Sequence, residues 1–414
     1  MTTCSLLPVA SDLHDHVAVD KVLSALRPSL MAAGMEFIEA VEAAETSRPF
    51  AVLVLTGGSE AKVLAAWRAR QQLVPGEPLL LVTHAGHNSL PAALEALARL
   101  RRDGARARIV MVQPDDVANG NGHSVRNAVH DIAVWHALHA SRLGVLGDPS
   151  EWLVASIPND AAVTQRWGTT LVRTPLRPVI DRFEDNIDAP IAEPVRVRAR
   201  HHRHEPHPAD VETAARFEPV LSDVVAEQRL DAVTVRCFDL VTDAYTSGCL
   251  ALSALNDRGV VAGCEGDVAS AMALLWLRHL LGRIGWMANP SAIHESTGVI
   301  ELAHCTVPLS LTDGYELQTH FESGIGVGIA GTFPPGPVTV VRLGGDELEQ
   351  LWCADGEALP TTPRPGRCRT QVDISVAPER AGELLTAPLG NHLVVVPGHH
   401  AQEIVAWWRE MIAD

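Results

Sequence analysis

Residues 261–306 read VAGCEGDVASAMALLWLRHLLGRIGWMANPSAIHESTGVIELAHCT, and this stretch decides the fold of the chain. It opens on a short apolar run that is typical of a buried strand, and Glu265 and Asp267 follow at the end of that run. Residues 269–281 carry almost no charge and are long enough for a buried helix, which Gly282 is suited to end. The pattern therefore predicts a strand, a polar turn and a buried helix in succession.

A second polar cluster follows the predicted helix. It contains Asn289 and His294, and a strand-like run then leads to His304. A carboxylate, such as that of Glu265, is costly against an apolar core unless a partner or a metal compensates its charge. We therefore predict a functional site here. The structural alternative stays open, since Asp267 also suits the N-cap of the helix and His304 a hydrogen-bonded structural role.

Composition limits the classes of protein that fit. The 414 residues predict two or three domains, and 47% hydrophobic with 20% charged residues is an ordinary globular balance. The net charge of −17 argues against a nucleic-acid surface. Seven irregularly spaced cysteines indicate reduced thiols in a cytoplasm, and the chain offers neither a signal peptide pattern nor an apolar run of membrane length. We expect a cytoplasmic protein with no nucleic-acid or membrane partner.

The order of patterns predicts three domains. Residues 1–155 alternate strands and helices, which indicates a Rossmann-like domain with a parallel sheet. Residues 156–306 form a second α/β domain that carries the acidic site. Residues 307–414 are rich in short strands separated by Pro and Gly and close on a helix, which predicts a β-rich, barrel-like domain. A histidine-rich tract at 201–207 is interpreted as a solvated loop in preference to a metal-binding tract.

Five short motifs carry a resemblance to a known family. They are NSLPAALE at 88–95, SGCLALS at 247–253, CEGD at 264–267, AHCT at 303–306 and GNHL at 390–393. By their order and spacing, over most of its length, the chain resembles the L-fucose and L-arabinose isomerases, and most closely the short fucose-isomerase-like proteins.

The resemblance implies a divalent metal ion, usually manganese, between the last two domains. Its ligands would be Glu265, Asn289, His304 and His392. Asn289 departs from the family, which has an acid at that position. An amide oxygen can ligate a hard cation, but it brings no charge and accepts no proton.

Either the metal would be held more weakly, or a second catalytic acid would come from elsewhere in the chain. Asp267, Glu322 and Asp239 are the candidates. The implied chemistry is aldose–ketose isomerisation through an enediol, in which a carboxylate removes the proton beside the carbonyl and returns it to the adjacent carbon. Glu265 is the first choice for that base and Asp267 the second.

Substrate contacts and assembly complete the prediction. His320 and Glu322 are interpreted as contacts of a sugar substrate or of the residues that bind it, because they are polar and unusual for a plain strand. Simple turn chemistry stays as the alternative. By resemblance, His87 and Asn88 would close the site of a neighbouring subunit in a homo-oligomer, a trimer or hexamer with shared active sites. Because Asn289 replaces an acid, a sugar lyase or epimerase and a non-catalytic carbohydrate-binding protein stay as alternatives.

Overall fold

The computed structural model describes residues 3–43, 45–114, 123–188, 190–191, 193–200 and 205–413. The chain forms two compact units, one of residues 1–137 with 407–414 and one of residues 138–406. The first four residues of the histidine-rich tract, 201–204, lie outside the described residues. Among the described helices, none has both the length and the apolar character that crossing a membrane requires.

The first unit is built on a five-stranded parallel sheet with the order β2-β1-β3-β4-β5. Its strands are β1 (Cys4–Val9), β2 (Met35–Phe37), β3 (Phe50–Val54), β4 (Leu79–Thr83) and β5 (Ala107–Met111), and its helices α1 (His16–Ala32), α2 (Ala40–Ala43), α3 (Glu60–Leu73), α4 (Ser89–Arg102) and α5 (His123–Ala140), the last of which runs into the second unit. Strand β3 is buried at every residue, as expected for a parallel strand covered by helices on both faces. This unit confirms the predicted parallel α/β arrangement.

The second unit begins with a four-stranded parallel sheet of order β7-β6-β8-β9. Its strands are β6 (Arg142–Leu146), β7 (Thr170–Thr174), β8 (Ala232–Val235) and β9 (Val261–Cys264), and its helices α6 (Asp160–Trp167), α7 (Arg177–Asp185), α8 (Glu193–Ala199), α9 (Pro208–Gln228), α10 (Cys237–Asp243), α11 (Cys249–Asp257) and α12 (Val268–Leu281). The chain leaves β6 toward one edge of the sheet and β8 toward the other. Ligands of such sheets bind beyond the carboxyl ends of the strands, where the strand order reverses.

A closed antiparallel barrel follows, with the order β10-β11-β16-β15-β14-β17. The barrel strands are β10 (Trp286–His294), β11 (Val299–His304), β14 (Gly336–Gly344), β15 (Gln350–Leu359), β16 (Thr370–Val376) and β17 (Leu393–Pro397). A separate hairpin consists of β12 (Gly314–Gln318) and β13 (Gly328–Thr332). The last two helices are α13 (Pro378–Thr386) and α14 (Ala401–Met411). The barrel confirms the predicted β-rich architecture. It takes β10 and β11 from residues before 307, however, so the barrel and the predicted C-terminal domain do not coincide. The three domain limits stay a prediction.

Helix α12 joins the sheet to the barrel. Its side chains are buried from Val268 through Leu277, and the helix packs on β8 and β9 of the sheet as well as on β14 and β17 of the barrel. Apolar groups around its whole circumference explain why the sequence carries almost no charge there. Because α12 begins directly after Asp267, it places the polar turn at the junction of sheet and barrel.

Candidate metal centre

The turn after β9 holds Glu265 in an uncommon backbone conformation. Glu265 has a φ of 63° and Gly266 a φ of 71°, and the amide of Asp267 donates to the carbonyl of Cys264 at 3.1 Å to close the turn. A left-handed conformation costs a non-glycine residue free energy and persists only where the surroundings impose it. Such strain is frequent at functional sites, which makes Glu265 a candidate for function.

Glu265 is buried among donors. Its Oε2 accepts a hydrogen bond from Nε1 of Trp152 at 2.6 Å, and its Oε1 lies 3.5 Å from Nε2 of His392 and 4.0 Å from Nε2 of His304. Burial alone would raise the pKa of this carboxyl, but His392, His304 and Trp152 together hold it below its ordinary value. Glu265 is therefore ionised at neutral pH.

His304, at the end of β11, is a neutral imidazole. Burial, followed by repulsion from His392, lowers its pKa to about 3. Its Nδ1 lies 2.7 Å from Oγ1 of Thr306. When Nδ1 donates its proton to that hydroxyl, Nε2 carries the lone pair that a metal ion requires.

His392 directly precedes β17 and is completely buried. Its Nδ1 lies 2.8 Å from Oδ2 of Asp267, while its buried Nε2 makes no hydrogen bond within the described part of the chain. Burial lowers the pKa of His392, but Asp267 and Glu265 outweigh that effect and raise it to about 9. An imidazole held by a carboxylate at Nδ1 and free at Nε2 is the usual arrangement of a metal-binding histidine.

Asp267 is fully buried and has no free oxygen. It caps α12 by accepting from the amide of Ser270 at 2.8 Å, which confirms the N-cap interpretation. Its Oδ2 also accepts from Oγ of Ser270 and lies 3.3 Å from Nη1 of Arg342. Burial would raise its pKa, but Arg342 and His392 hold it far below its usual range. This geometry favours positioning of His392 over the predicted role as a base.

Three groups converge at a spacing that suits a metal ion. One ligand atom from each of Glu265, His304 and His392 lies within 4.8 Å of the other two. An ion about 2.0–2.2 Å from nitrogen and oxygen ligands needs ligand atoms roughly 3–4 Å apart. The orphaned Nε2 of His392 also fits, as does Oδ1 of Asn289, which is buried without a hydrogen-bond partner in the described chain. These groups could hold a metal ion, and such ligands suit several divalent metals.

A cavity of about 480 Å³ opens beside this cluster. Its walls are Trp152, Phe238, Glu265, Asn289, Pro290, Glu322 and Asn391. The rings of Trp152 and Phe238 meet edge to face with centroids 4.9 Å apart and form an aromatic wall. Small-molecule sites occupy about 300–1,000 Å³, so the cavity has the size of a ligand site. It lies beyond the carboxyl ends of β6, β8 and β9, where the strand order predicts a ligand.

The remaining predicted residues are distributed differently. Glu322 lines the cavity. His320 does not line it and is buried, with its ring centroid 5.7 Å from that of Phe238 and its Nδ1 2.9 Å from Oγ of Ser323. His87 and Asn88 lie in the first unit, in the turn before α4, with φ values of 52° and 55°. Their contribution to a neighbouring subunit stays a prediction.

Trp152 and Arg342 are among the residues at the site that the sequence did not single out. Trp152 lies in the turns of residues 152–156, which follow β6 into the loop beyond its carboxyl end. Arg342 is 1% exposed near the end of β14, a strand that is otherwise largely apolar. A lone arginine inside an apolar run needs a buried partner, and that signal could have linked it to a carboxylate.

Gly266→Ala is expected to displace Glu265. An added Cβ would lie 2.8 Å from Cα of Pro149 and 3.1 Å from the carbonyl oxygen of Asp148, backbone atoms that cannot move cheaply. Gly282→Ala is the matched control, because Gly282 also has a positive φ, of 62°, with nothing within 4 Å of its Cβ position. The control should lose about 1 kcal/mol of stability, and Gly266→Ala at least about twice that, with weaker metal binding. Thermal unfolding and metal titration measure both, and equal losses would contradict the role of the turn.

The chain combines parallel α/β sheets with an antiparallel barrel, and it places a buried carboxylate–histidine cluster beside a cavity. These features define a globular α/β protein with a candidate metal site, which we compared with known proteins. No family model matches the chain. It is similar to proteins named sulfoquinovose isomerase. The protein of Alkalicoccus urumqiensis is 27% identical over 163 residues, which cover 38% of this chain and 37% of that protein. Those of Priestia aryabhattai and Priestia megaterium are each 23% identical over 354 residues, 82% of this chain and 76% of theirs. These names are compatible with the predicted resemblance to sugar isomerases.

Proposed function

We propose that this protein is an isomerase that interconverts an aldose and a ketose with the help of a divalent metal ion. The observation that carries the proposal is the convergence of Glu265, His304 and His392 beside a ligand-sized cavity that Glu265 lines, with Nε2 of His392 buried and without a hydrogen bond among the described residues. The name of the relatives, sulfoquinovose isomerase, supports a sugar as the substrate.

The metal site follows from this arrangement. Glu265, His304 and His392 would hold the ion, with Asn289 as a neutral fourth ligand, and manganese is the first metal to test. When bound, the ion would act as a Lewis acid toward the oxygens of the sugar and stabilise developing negative charge. Asp267 keeps the Nδ1 proton of His392 in place. A carboxylate at the cavity then moves the proton beside the carbonyl, through an enediol, and Glu265 is the choice made from the sequence.

The substrate is a sugar whose charge is open to test. The relatives are named for sulfoquinovose, whereas the resemblance to fucose and arabinose isomerases implies neutral aldoses. None of the described residues that line the cavity is a lysine or an arginine. Both a sulfonated and a neutral series therefore belong in the assay. We also propose a trimer or hexamer with shared sites, which light scattering after size-exclusion chromatography measures.

Purified protein should contain one divalent metal ion per chain and convert an aldose to a ketose. Mass spectrometry before and after chelation measures the metal content. Nuclear magnetic resonance measures conversion when the protein is incubated with sulfoquinovose, L-fucose or L-arabinose. Activity that chelation removes and manganese restores would support the proposal. If the protein binds no metal and converts no sugar when manganese is supplied, the lyase, epimerase or carbohydrate-binding alternative is favoured. These alternatives rest on the neutral Asn289 in place of an acid.

Metal binding is expected to tighten with rising pH. The raised pKa of His392, about 9, keeps this imidazole protonated at neutral pH in the metal-free protein, so the ion must displace a proton. Each pH unit between about 6 and 8 should therefore strengthen binding about tenfold. His304, with a pKa of about 3, contributes nothing to this slope. Calorimetry in buffers of different ionisation enthalpy measures the released proton, and an affinity that does not change with pH would contradict the expectation.

A further inference from the structure

An aldose–ketose conversion needs a base that is free to reach a carbon-bound proton. Both oxygens of Glu265 are committed, one to Trp152 and the other to the two imidazoles. A carboxylate that binds a metal and has a lowered pKa is a weak base. Transfer of the carbon-bound proton therefore requires a second carboxylate that faces the same cavity.

The other acids near the site do not meet this need. Asp267 is completely buried, and its oxygens are taken by Ser270, Arg342 and His392. Asp239 is bonded to Nε of Arg236 at 2.8 Å and lines a different cavity.

Glu322 is the carboxylate that is free to reach a substrate in this cavity. Its side chain lines the cavity together with Glu265 and Asn289, and within the described chain its carboxylate has no hydrogen-bond or ion-pair partner. Glu322 is exposed to solvent, but desolvation by its surroundings, followed by repulsion from Glu265, still raises its pKa above the ordinary value.

The backbone that carries Glu322 is well anchored. In the loop between β12 and β13, the amide of Gly324 donates to the carbonyl of His320 at 2.9 Å. On the amino-terminal side, Arg369 donates through Nε to the carbonyl of Thr319 at 2.7 Å. On the carboxyl-terminal side, the amide of Val327 donates to the buried hydroxyl of Ser247 at 2.7 Å. A free carboxylate on an anchored loop is suited to catalysis, since its position is set while its oxygens stay available.

We propose that Glu322 is the catalytic carboxylate that moves the proton between the two reacting carbons of the sugar, an assignment that rests on the proposed isomerase function. Glu322 takes the proton from C2, and the electron pair of the broken C–H bond forms the C1=C2 double bond while the carbonyl electrons move to O1. The hydroxyl proton of O2 passes to O1. Glu322 then returns its proton to C1, and O2 becomes the new carbonyl oxygen. No oxidant or reductant is required.

The test is Glu322→Gln, which keeps the size of the side chain and removes the base. With manganese and the best aldose substrate of the unaltered protein, kcat should fall about 10²–10⁴-fold, and exchange of the C2 proton with deuterated water should fall equally. Metal affinity and the unfolding temperature should be unchanged. Glu322→Asp should recover part of the loss, and the acidic limb of the kcat–pH profile should disappear in the glutamine variant. Asp313→Asn, which changes an exposed acid before β12, is the matched control and should keep full activity.

Each other outcome is decisive. If the unaltered protein with manganese converts no aldose, the isomerase function itself fails. If it converts sugar and Glu322→Gln retains both turnover and proton exchange, the assignment of Glu322 is overturned while the function stands. If Glu322→Gln loses bound metal, Glu322 is a ligand and the assignment is again overturned.

Discussion

Replacing Glu265 by glutamine is expected to remove both the bound metal and turnover while the protein still folds. Glutamine keeps the volume of the side chain and an oxygen for the indole of Trp152, but it removes the negative charge that faces His304 and His392. Loss of an outer-shell partner alone weakens a metal site about 10–100-fold, so loss of a charged ligand should exceed about 100-fold. Metal analysis, turnover and the circular dichroism spectrum measure the three consequences.

Glu357→Gln is the matched control for this change. Glu357 is an exposed carboxylate on β15 of the same barrel, and its replacement should leave metal content and turnover intact. A Glu265→Gln protein that binds manganese as tightly as the unaltered protein would remove Glu265 from the ligand set.

Asp267→Asn is expected to cause the largest loss of stability. Asparagine can still cap α12, but it leaves the fully buried Arg342 without a counter-charge and takes a charged acceptor from His392. Breaking a buried ion pair by removing one partner costs about 3–5 kcal/mol, because an uncompensated charge stays behind. Denaturant unfolding in the presence of a chelator measures the effect without the contribution of a metal.

A double variant separates the ion pair from the cap. Replacing Arg342 by Met together with Asp267→Asn removes both charges, so the pair of changes should cost less than the sum of the two single changes. Ser270→Ala keeps both charges and removes the hydroxyl that donates to Asp267 and accepts from Arg342, so it should cost about 1.5–3 kcal/mol, less than the loss of the ion pair. A loss below about 1 kcal/mol for Asp267→Asn would show that the buried network contributes little.

Local patterns were sufficient for helix α12 and insufficient for strand β15. The prediction of a helix over 269–281 matches the observed Val268–Leu281, because its apolar run lies between a capping aspartate and a glycine. Strand β15, Gln350–Leu359, was missed. It contains Asp355 and Gly356, and it is held in place by pairing with β14 and β16 on its two sides. Pairing between distant segments is not visible in the residues of the strand itself.

The same limit applies to the site. Glu265 and His304 stand at the ends of apolar runs, so their residue types singled them out, whereas His392 was named only through the family resemblance. The structure brings the three together. Their roles as ligands stay a proposal. Arg342 lies far along the chain from Asp267, and no local rule joins the two. The network behind His392 therefore becomes visible only when the barrel and the sheet are placed side by side.

The position of His392 ties completion of the metal site to the biosynthesis of the chain. Strand β17, which begins at the next residue, pairs with β10 on one side and β14 on the other and so closes the barrel. A nascent chain that ends before residue 392 lacks both the closing strand and the third proposed ligand, even though Glu265 and His304 have already been made. Pairing over such sequence distances is slow, and a site that does not exist in the unfolded chain gains its affinity from folding. The proposed metal ion would therefore bind only after β17 has been made and has paired with β10 and β14.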